Sequence, residues 1–264
     1  MTTPLPVCVV KVGGALLSDA ARLDALWNGV AELSATESVV VVHGGGPQST
    51  EMARRLGHEP RIVQGRRVTT DLDLDIVHWT IRGSLNTRLV ASAIARGVRA
   101  VGISGVDGPT VIVERRPPWK VQGEEVDFGW VGDVKQVDDA LLRSLLTSGF
   151  VPVVAPVATD GRGLTFNVNA DTVAQAIARR LGARRFLLVT ESGGVLRDPA
   201  EPASLIPSID PTEFDAGTEA GWIAGGMLVK LRVAFDALTA GIQEVRILEP
   251  EGLGREASGT RVVA

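Results

Sequence analysis

A chain of 264 residues, 45% hydrophobic and 22% charged, is long enough to bury one large α/β core or two smaller lobes. Its formal net charge of -4, with both signs scattered and no basic stripe interleaved with aromatics, argues against a nucleic-acid partner. The single cysteine, Cys8, lies inside an apolar run and leaves no internal disulfide; with no signal-peptide pattern and no unbroken stretch of ~18 apolar residues, a cytoplasmic protein with no membrane partner is expected.

Apolar, β-branched runs alternate with stretches of helical period, which predicts an α/β fold with a mostly parallel sheet. Residues 6–12 form the first predicted strand, and residues 19–33 a helix with Leu23, Leu26, Trp27 and Val30 on one face. A strand follows at 39–42, then a helix at 48–56 behind Pro47, and an extended stretch at 61–68. Thr70 or Asp71 can cap a long helix running to about residue 96, with Leu74, Val77, Ile81 and Leu85 at helical spacing. Residues 100–104 read as a strand, 110–134 as hairpin strands, 138–148 as a helix and 151–156 as a strand. Asp160-Gly161-Arg162-Gly163 is a tight turn, and a helix opening near Asp171 ends at Gly182. A buried strand at 186–190 begins a second lobe, followed by a helix at 227–240 and strands at 244–248 and 260–263.

Three glycine-rich turns carry the chemistry. Lys11-Val12-Gly13-Gly14 ends the first strand, His43-Gly44-Gly45-Gly46-Pro47 follows the second, and Gly225-Gly226-Met227-Leu228-Val229-Lys230 opens a helix. Backbone N–H groups at such places bind anions, and glycine lets the backbone approach them closely. Two such cradles with two lysines point to an enzyme that handles a polyphosphate. Lys11 inside an apolar strand is costly to bury without an anionic partner. Lys230, one turn inside its helix, can fold back toward the positive helix end. The pattern Gly44-x-Gly46 has Ser49 at its third position and Gly65-Arg66-Arg67 where a ribose-binding acid belongs, which speaks against a nicotinamide site. No G-x-x-x-x-G-K-[ST] run exists, so a P-loop is excluded.

Asn167-Val168-Asn169 alternates in extended geometry, with both amides on one side and Asp171 at the following helix start. Asn169 is the candidate cap. Arg67 can fork onto a substrate carboxylate, whereas Arg66 beside it reads as solvated. His43 reads as structural, His58 and His78 lack metal-ligand spacing, and no Ser-His-Asp arrangement emerges.

These motifs occur in one order along nearly the whole chain, joined by Asn86, Gly102-Ile103-Ser104-Gly105-Val106-Asp107-Gly108, Val131-Gly132-Asp133-Val134 and Gly259-Thr260. In that combination the sequence resembles the amino acid kinase family, and within it the branch acting on N-acetylglutamate. The resemblance implies a three-layer αβα sandwich with a mostly parallel central sheet. Its N-terminal lobe, residues 1–183, would bind the acyl-amino acid and dimerise, and its C-terminal lobe, residues 184–264, would bind ATP. The implied reaction is ATP-dependent phosphorylation of the γ-carboxylate of N-acetyl-L-glutamate to N-acetyl-L-glutamyl 5-phosphate, the second step of arginine biosynthesis.

Carried over by motif, Lys11 and Lys230 neutralise the phosphoryl group in flight and Asp171 positions them. Gly45 and Gly46 donate amides, and Arg67 and Asn167 hold the acetylglutamate. Gly13, Gly14, Thr190, Glu191, Gly194, Leu196, Gly225, Gly226 and Met227 line the nucleotide. Mg²⁺ is expected on the ATP phosphates and water, with no dedicated protein ligands. Family members usually carry an aspartate where this chain has Glu191, one methylene longer. The chain starts almost at its first strand, which implies a homodimer without arginine feedback, built on the helix over 71–96. The same chemistry on N-succinylglutamate or a carrier-bound aminoadipate is the alternative, the latter disfavoured by Gly46-Pro47. A catalytically silent sensing module fits poorly with intact Lys11, Lys230 and Asp171.

Overall fold

The computed structural model describes residues 5–255 and 257–264. Eight strands form its central sheet: β1 (Val7–Val12), β2 (Ser38–His43), β3 (Ala100–Ser104), β4 (Val151–Ala155), β5 (Arg185–Val189), β6 (Ser208–Ile209), β7 (Glu244–Leu248) and β8 (Thr260–Val262). In space they run β6-β8-β7-β5-β1-β2-β4-β3. Every neighbouring pair is parallel except β7 with β8. The helices are α1 (Ala20–Ser34), α2 (Gly46–Arg55), α3 (Asp71–Val77), α4 (Asn86–Ile94), α5 (Ala140–Thr147), α6 (Ala170–Leu181), α7 (Pro211–Glu219) and α8 (Gly225–Thr239).

The central strands read as continuous apolar runs because helices cover both sheet faces. Val9, Val40 and Val42 pack with α6 and α8, while Cys8, Val10, Val39 and Val41 pack with α1 and α4. The chain is therefore a three-layer αβα sandwich. Alternation along β1 puts Lys11 on the same face as Val9, the α6 side, at the strand's carboxyl end. The sheet is continuous from β1 into β5, which pair from Cys8–Arg185 to Val12–Val189.

Above the carboxyl ends of the central strands stands a second, four-stranded sheet in the order Thr165–Asn167, Val157–Thr159, Val111–Arg115, Gly132–Val137. Two small hairpins join it, Ile62–Val63 with Arg66–Arg67, and Trp119–Val121 with Glu124–Val126. They pack together through Val63, Val68, Trp119 and Val121 around Phe128.

Helix starts follow local chemistry. Asp19 caps α1 by accepting from the Arg22 amide, Thr70 and Asp73 form a reciprocal capping box on α3, and Asn169 caps α6. Gly182 closes α6 in the left-handed conformation at φ 64°.

The helix expected over 71–96 is instead α3, a π-helical stretch His78–Leu85, and α4. The widened turn escapes a reading based on a 3.6-residue period, because Val77, Ile81 and Leu85 stay buried through it. The short strands Val157–Thr159 and Thr165–Asn167, and helix α7, carry too few residues to show a period of their own.

Candidate active site

Where β1 and β2 end, the chain turns through Gly13-Gly14 and Gly44-Gly45-Gly46 and opens onto a cavity of about 380 Å³. Its walls include Lys11, Gly14, Gly45, Gly46, Arg67, Asn167 and Asp171. The two turns are nested: a Cβ at Gly14 would lie 2.9 Å from the Gly45 nitrogen, and one at Gly45 would lie 2.8 Å from Ile81. Only glycine fits at both places. The Gly13 amide donates to Val189 and the Gly44 amide to Val12, so both serve the sheet. Gly45 is the N-cap of α2 and Gly46 its first residue, and neither amide donates to an acceptor among the described residues. Two N–H donors without an acceptor among the described residues thus stand at a helix start whose residues line the cavity, a suitable arrangement for an anion.

The charged cluster forms next to them. Lys11 Nζ lies 2.8 Å from Asp171 Oδ1, and Lys230 Nζ lies 3.7 Å from Asp171 Oδ2. The side chains of Lys11, Asp171 and Lys230 are only 5%, 8% and 18% exposed, so bulk water does little to screen them. Lys11 comes from β1, Asp171 from the first turn of α6, and Lys230 from α8. Lys230 folds back over its own helix start, with Nζ 3.8 Å from where a Gly226 Cβ would stand.

Burial works to raise the Asp171 carboxyl, but the Lys11 and Lys230 ammonium groups outweigh it and hold the acid below the ordinary carboxylate range. Burial lowers Lys230, and the Lys11 ammonium lowers it further, against the pull of Asp171. The trio carries two positive charges against one negative charge, a surplus that suits an incoming phosphate.

Arg67 occupies another wall. Its Nη2 donates to Thr50 Oγ1 at 2.6 Å and to the Gly46 carbonyl at 3.5 Å, and its Nη1 lies 3.4 Å from Asp73 Oδ1. Asp73 is buried and accepts from the Thr70 amide and hydroxyl at 3.1 and 2.7 Å; its Oδ1 also lies 3.1 Å from His58 Nε2. Burial would raise the Asp73 carboxyl, but the Thr70 donors and His58 together keep it low. Asn167 Nδ2 donates to Thr69 Oγ1 at 3.1 Å.

Arg66 is not solvated as its sequence context suggests. Its guanidinium stacks 5.0 Å from the Trp119 ring, with Arg116 4.7 Å from the same ring, and both arginines line the cavity. Burial and the nearby Arg116 charge lower the Arg66 guanidinium. Asn167 and Asn169 both line the cavity, and Asn169 Oδ1 in addition accepts from the Thr172 amide as the α6 cap.

His43 is fully buried and pushed down to about 4, first by burial. Burial therefore favours its neutral form at pH 7.

The remaining candidates lie apart from this cavity. Thr190 follows β5, its Oγ1 3.1 Å from Ser192 Oγ, and the exposed Glu191 accepts through its carbonyl from Arg22 at 3.3 Å. Gly194 packs against Leu205 and Thr260, and Leu196 bridges to Leu205. Gly225 (φ 54°), Gly226 and Met227 form the first turn of α8. Sequence reasoning missed Asp73, Thr50, Thr69 and Arg116 as site residues. The spacing Thr70-x-x-Asp73 signalled the capping box, but nothing in it signalled the contact to Arg67. Among the described residues, no three His, Cys, Asp or Glu side chains cluster as a metal site, and no helix is long and apolar enough to cross a membrane.

The profile of the amino acid kinase family matches residues 6–249. An acetylglutamate kinase of Methanopyrus kandleri is 44% identical over 254 residues, covering 96% of this chain and 99% of that protein. One from Sorangium cellulosum is 41% identical over 98% of this chain and 93% of that protein. Among solved structures, the N-acetylglutamate synthase of Neisseria gonorrhoeae, bound to coenzyme A and N-acetyl-glutamate, superposes with a TM-score of 0.81 at 24% identity, over 98% of this chain and 59% of that one. That last likeness concerns the fold.

Proposed function

The chain belongs to the amino acid kinase family, and we infer that within it the protein transfers the γ-phosphoryl group of ATP to the side-chain carboxylate of N-acetyl-L-glutamate, in arginine biosynthesis. The observation that carries this reading is Asp171 holding Lys11 and Lys230, from opposite ends of the chain, beside two free backbone amides.

A carboxylate nucleophile is already ionised at pH 7, so the reaction needs no general base. The obstacle is an anion attacking an anion. Lys11 and Lys230 lower it by offsetting charge on the transferred group, and the Gly45 and Gly46 amides donate to its oxygens. Asp171 keeps the two ammonium groups from separating by mutual repulsion. Arg67 and Asn167, which line the same cavity, hold the acylated α-carbon end of the substrate. Arg67 is pre-aligned by Asp73 and Thr50, so little side-chain freedom is lost on binding.

The nucleotide is assigned to residues 184–264, along Thr190, Glu191, Gly194 and Leu196, with its phosphates toward Gly225, Gly226 and Met227 at the start of α8 and across to the Gly13-Gly14 turn. Residues 1–183 take the acyl-amino acid. Both Asp171 oxygens already face ammonium groups, so Asp171 is engaged and not open to Mg²⁺. The ion would enter on the nucleotide's phosphate oxygens and water, and would draw electrons from the phosphorus. A biosynthetic kinase of this kind fits the cytoplasm. A homodimer on the α3–α4 face is supported by Leu72, Trp79 and Ile94, which stand 41%, 55% and 58% exposed along it.

A hydroxylamine trap for the acyl phosphate tests the function. With ATP, Mg²⁺ and N-acetyl-L-glutamate the wild type forms hydroxamate. Lys11→Ala and Lys230→Ala lower kcat by on the order of 10²-fold or more. Near-normal turnover in either variant removes that lysine from the mechanism, and no hydroxamate with N-acetyl-L-glutamate removes the assigned substrate.

A further inference from the structure

His43 stands beside the glycine turn, yet the phosphoryl transfer described above gives it no task. Its surroundings are specific. Nδ1 lies 2.7 Å from the Gly44 carbonyl oxygen, and Nε2 lies 3.0 Å from Asn86 Nδ2. A carbonyl only accepts and a carboxamide nitrogen only donates, so the proton sits on Nδ1 and the Nε2 lone pair faces Asn86. The second Asn86 N–H donates to the Val153 carbonyl at 2.9 Å. Both side chains are buried, at 0% and 1% exposure, and both donors of the carboxamide are used. The imidazole is thereby held in one tautomer and one orientation between α4 and the sheet.

The Gly44 carbonyl and the Gly45 N–H belong to the same peptide unit. That unit is trans, so its carbonyl and its N–H point in opposite directions. A carbonyl drawn toward the buried imidazole sends the Gly45 N–H the other way, to the cavity that Gly45 lines. Glycine resists peptide rotation less than any other residue, and three glycines in a row would leave this plane loosely set. We propose that His43, fixed by Asn86, is a positioning residue that holds the Gly44–Gly45 peptide with its N–H aimed at the phosphoryl group in transfer. A flipped peptide would present a carbonyl oxygen to an anion in place of a donor. The proposal rests on the kinase reading for the identity of that group, and on geometry alone for the direction of the amide.

Two near-conservative variants separate the two hydrogen bonds. His43→Asn keeps a donor near the Nδ1 position, and His43→Gln keeps an acceptor near the Nε2 position while releasing the Gly44 carbonyl. The hydroxamate assay is expected to give His43→Asn a kcat within about fivefold of wild type and His43→Gln a loss on the order of 10²-fold, with both KM values within about threefold. A role in stability alone would lower the melting temperature of both variants and leave the kcat of the folded enzyme unsplit.

The second readout needs no turnover. In ¹⁵N-glycine-labelled protein, a non-hydrolysable ATP analogue with Mg²⁺ should move the Gly45 amide resonance in wild type and His43→Asn, but not in His43→Gln. A wild type that forms no hydroxamate defeats the kinase reading, while the resonance still decides the direction of the amide. Equal kcat in His43→Gln and wild type, or the same resonance shift in all three proteins, overturns the positioning role.

Discussion

Lys230 is the residue whose environment sets a testable pH limit. In the proposed phosphoryl transfer its ammonium form is the working form. Burial and the Lys11 charge lower its pKa below that of an ordinary lysine, and Asp171 works against them. Protons leave a group as pH rises through its pKa, so kcat should fall on the alkaline side at lower pH than a solvated lysine would allow. Asp171→Asn removes the opposing carboxylate and should move that fall lower still, which a kcat profile between about pH 6 and 10 measures. An alkaline limb in the same place in both proteins would mean that another group titrates there. Lys11 and Lys230 were legible as residues because lysine beside glycine turns is unusual. That they share one carboxylate was not, since nothing local joins a strand at the start of the chain to a helix near its end.

At the scale of elements, the seating of α4 on the sheet decides how well the glycine turn is supported. Asn86 opens α4 and reaches across to Val153 and His43, and Gly102 on β3 gives it room. A Cβ at Gly102 would fall on the Asn86 carboxamide oxygen and within 3.0 Å of Val90. Gly102→Ala therefore forces α4 off the sheet and is expected to cost about 2 kcal/mol. The urea midpoint reads this, with kcat falling alongside as Asn86 leaves His43. An unchanged midpoint would mean that α4 does not sit this close. Capping residues mark three of the helix starts: Asp19, Thr70 and Asn169 each stand where a cap was needed. The π-helical stretch was not readable, because its buried positions also satisfy a helical period. Ile81 of that stretch lies directly over Gly45.

For the whole molecule, the exposed Leu72, Trp79 and Ile94 along the α3–α4 face predict a dimer that buries them. Light scattering should give twice the chain mass, and Trp79→Glu should shift it toward the monomer; a monomeric wild type would show that this face stays in water. The alternation of buried strands with amphipathic helices was enough to determine the layered α/β class, because burial on both faces demands continuous apolar runs and helices must cover them. Glycines after β1 and β2, with Lys11 on β1 and Lys230 on α8, likewise pointed to the phosphate-handling edge proposed above. Only the tertiary structure decided that β1, α6 and α8 bring Lys11, Asp171 and Lys230 together, that Asp73 backs Arg67, and that Arg66 stacks on Trp119. Each of these contacts spans elements with no fixed sequence separation, and its energy exists only once the sheet order has placed the partners within a few ångströms of one another.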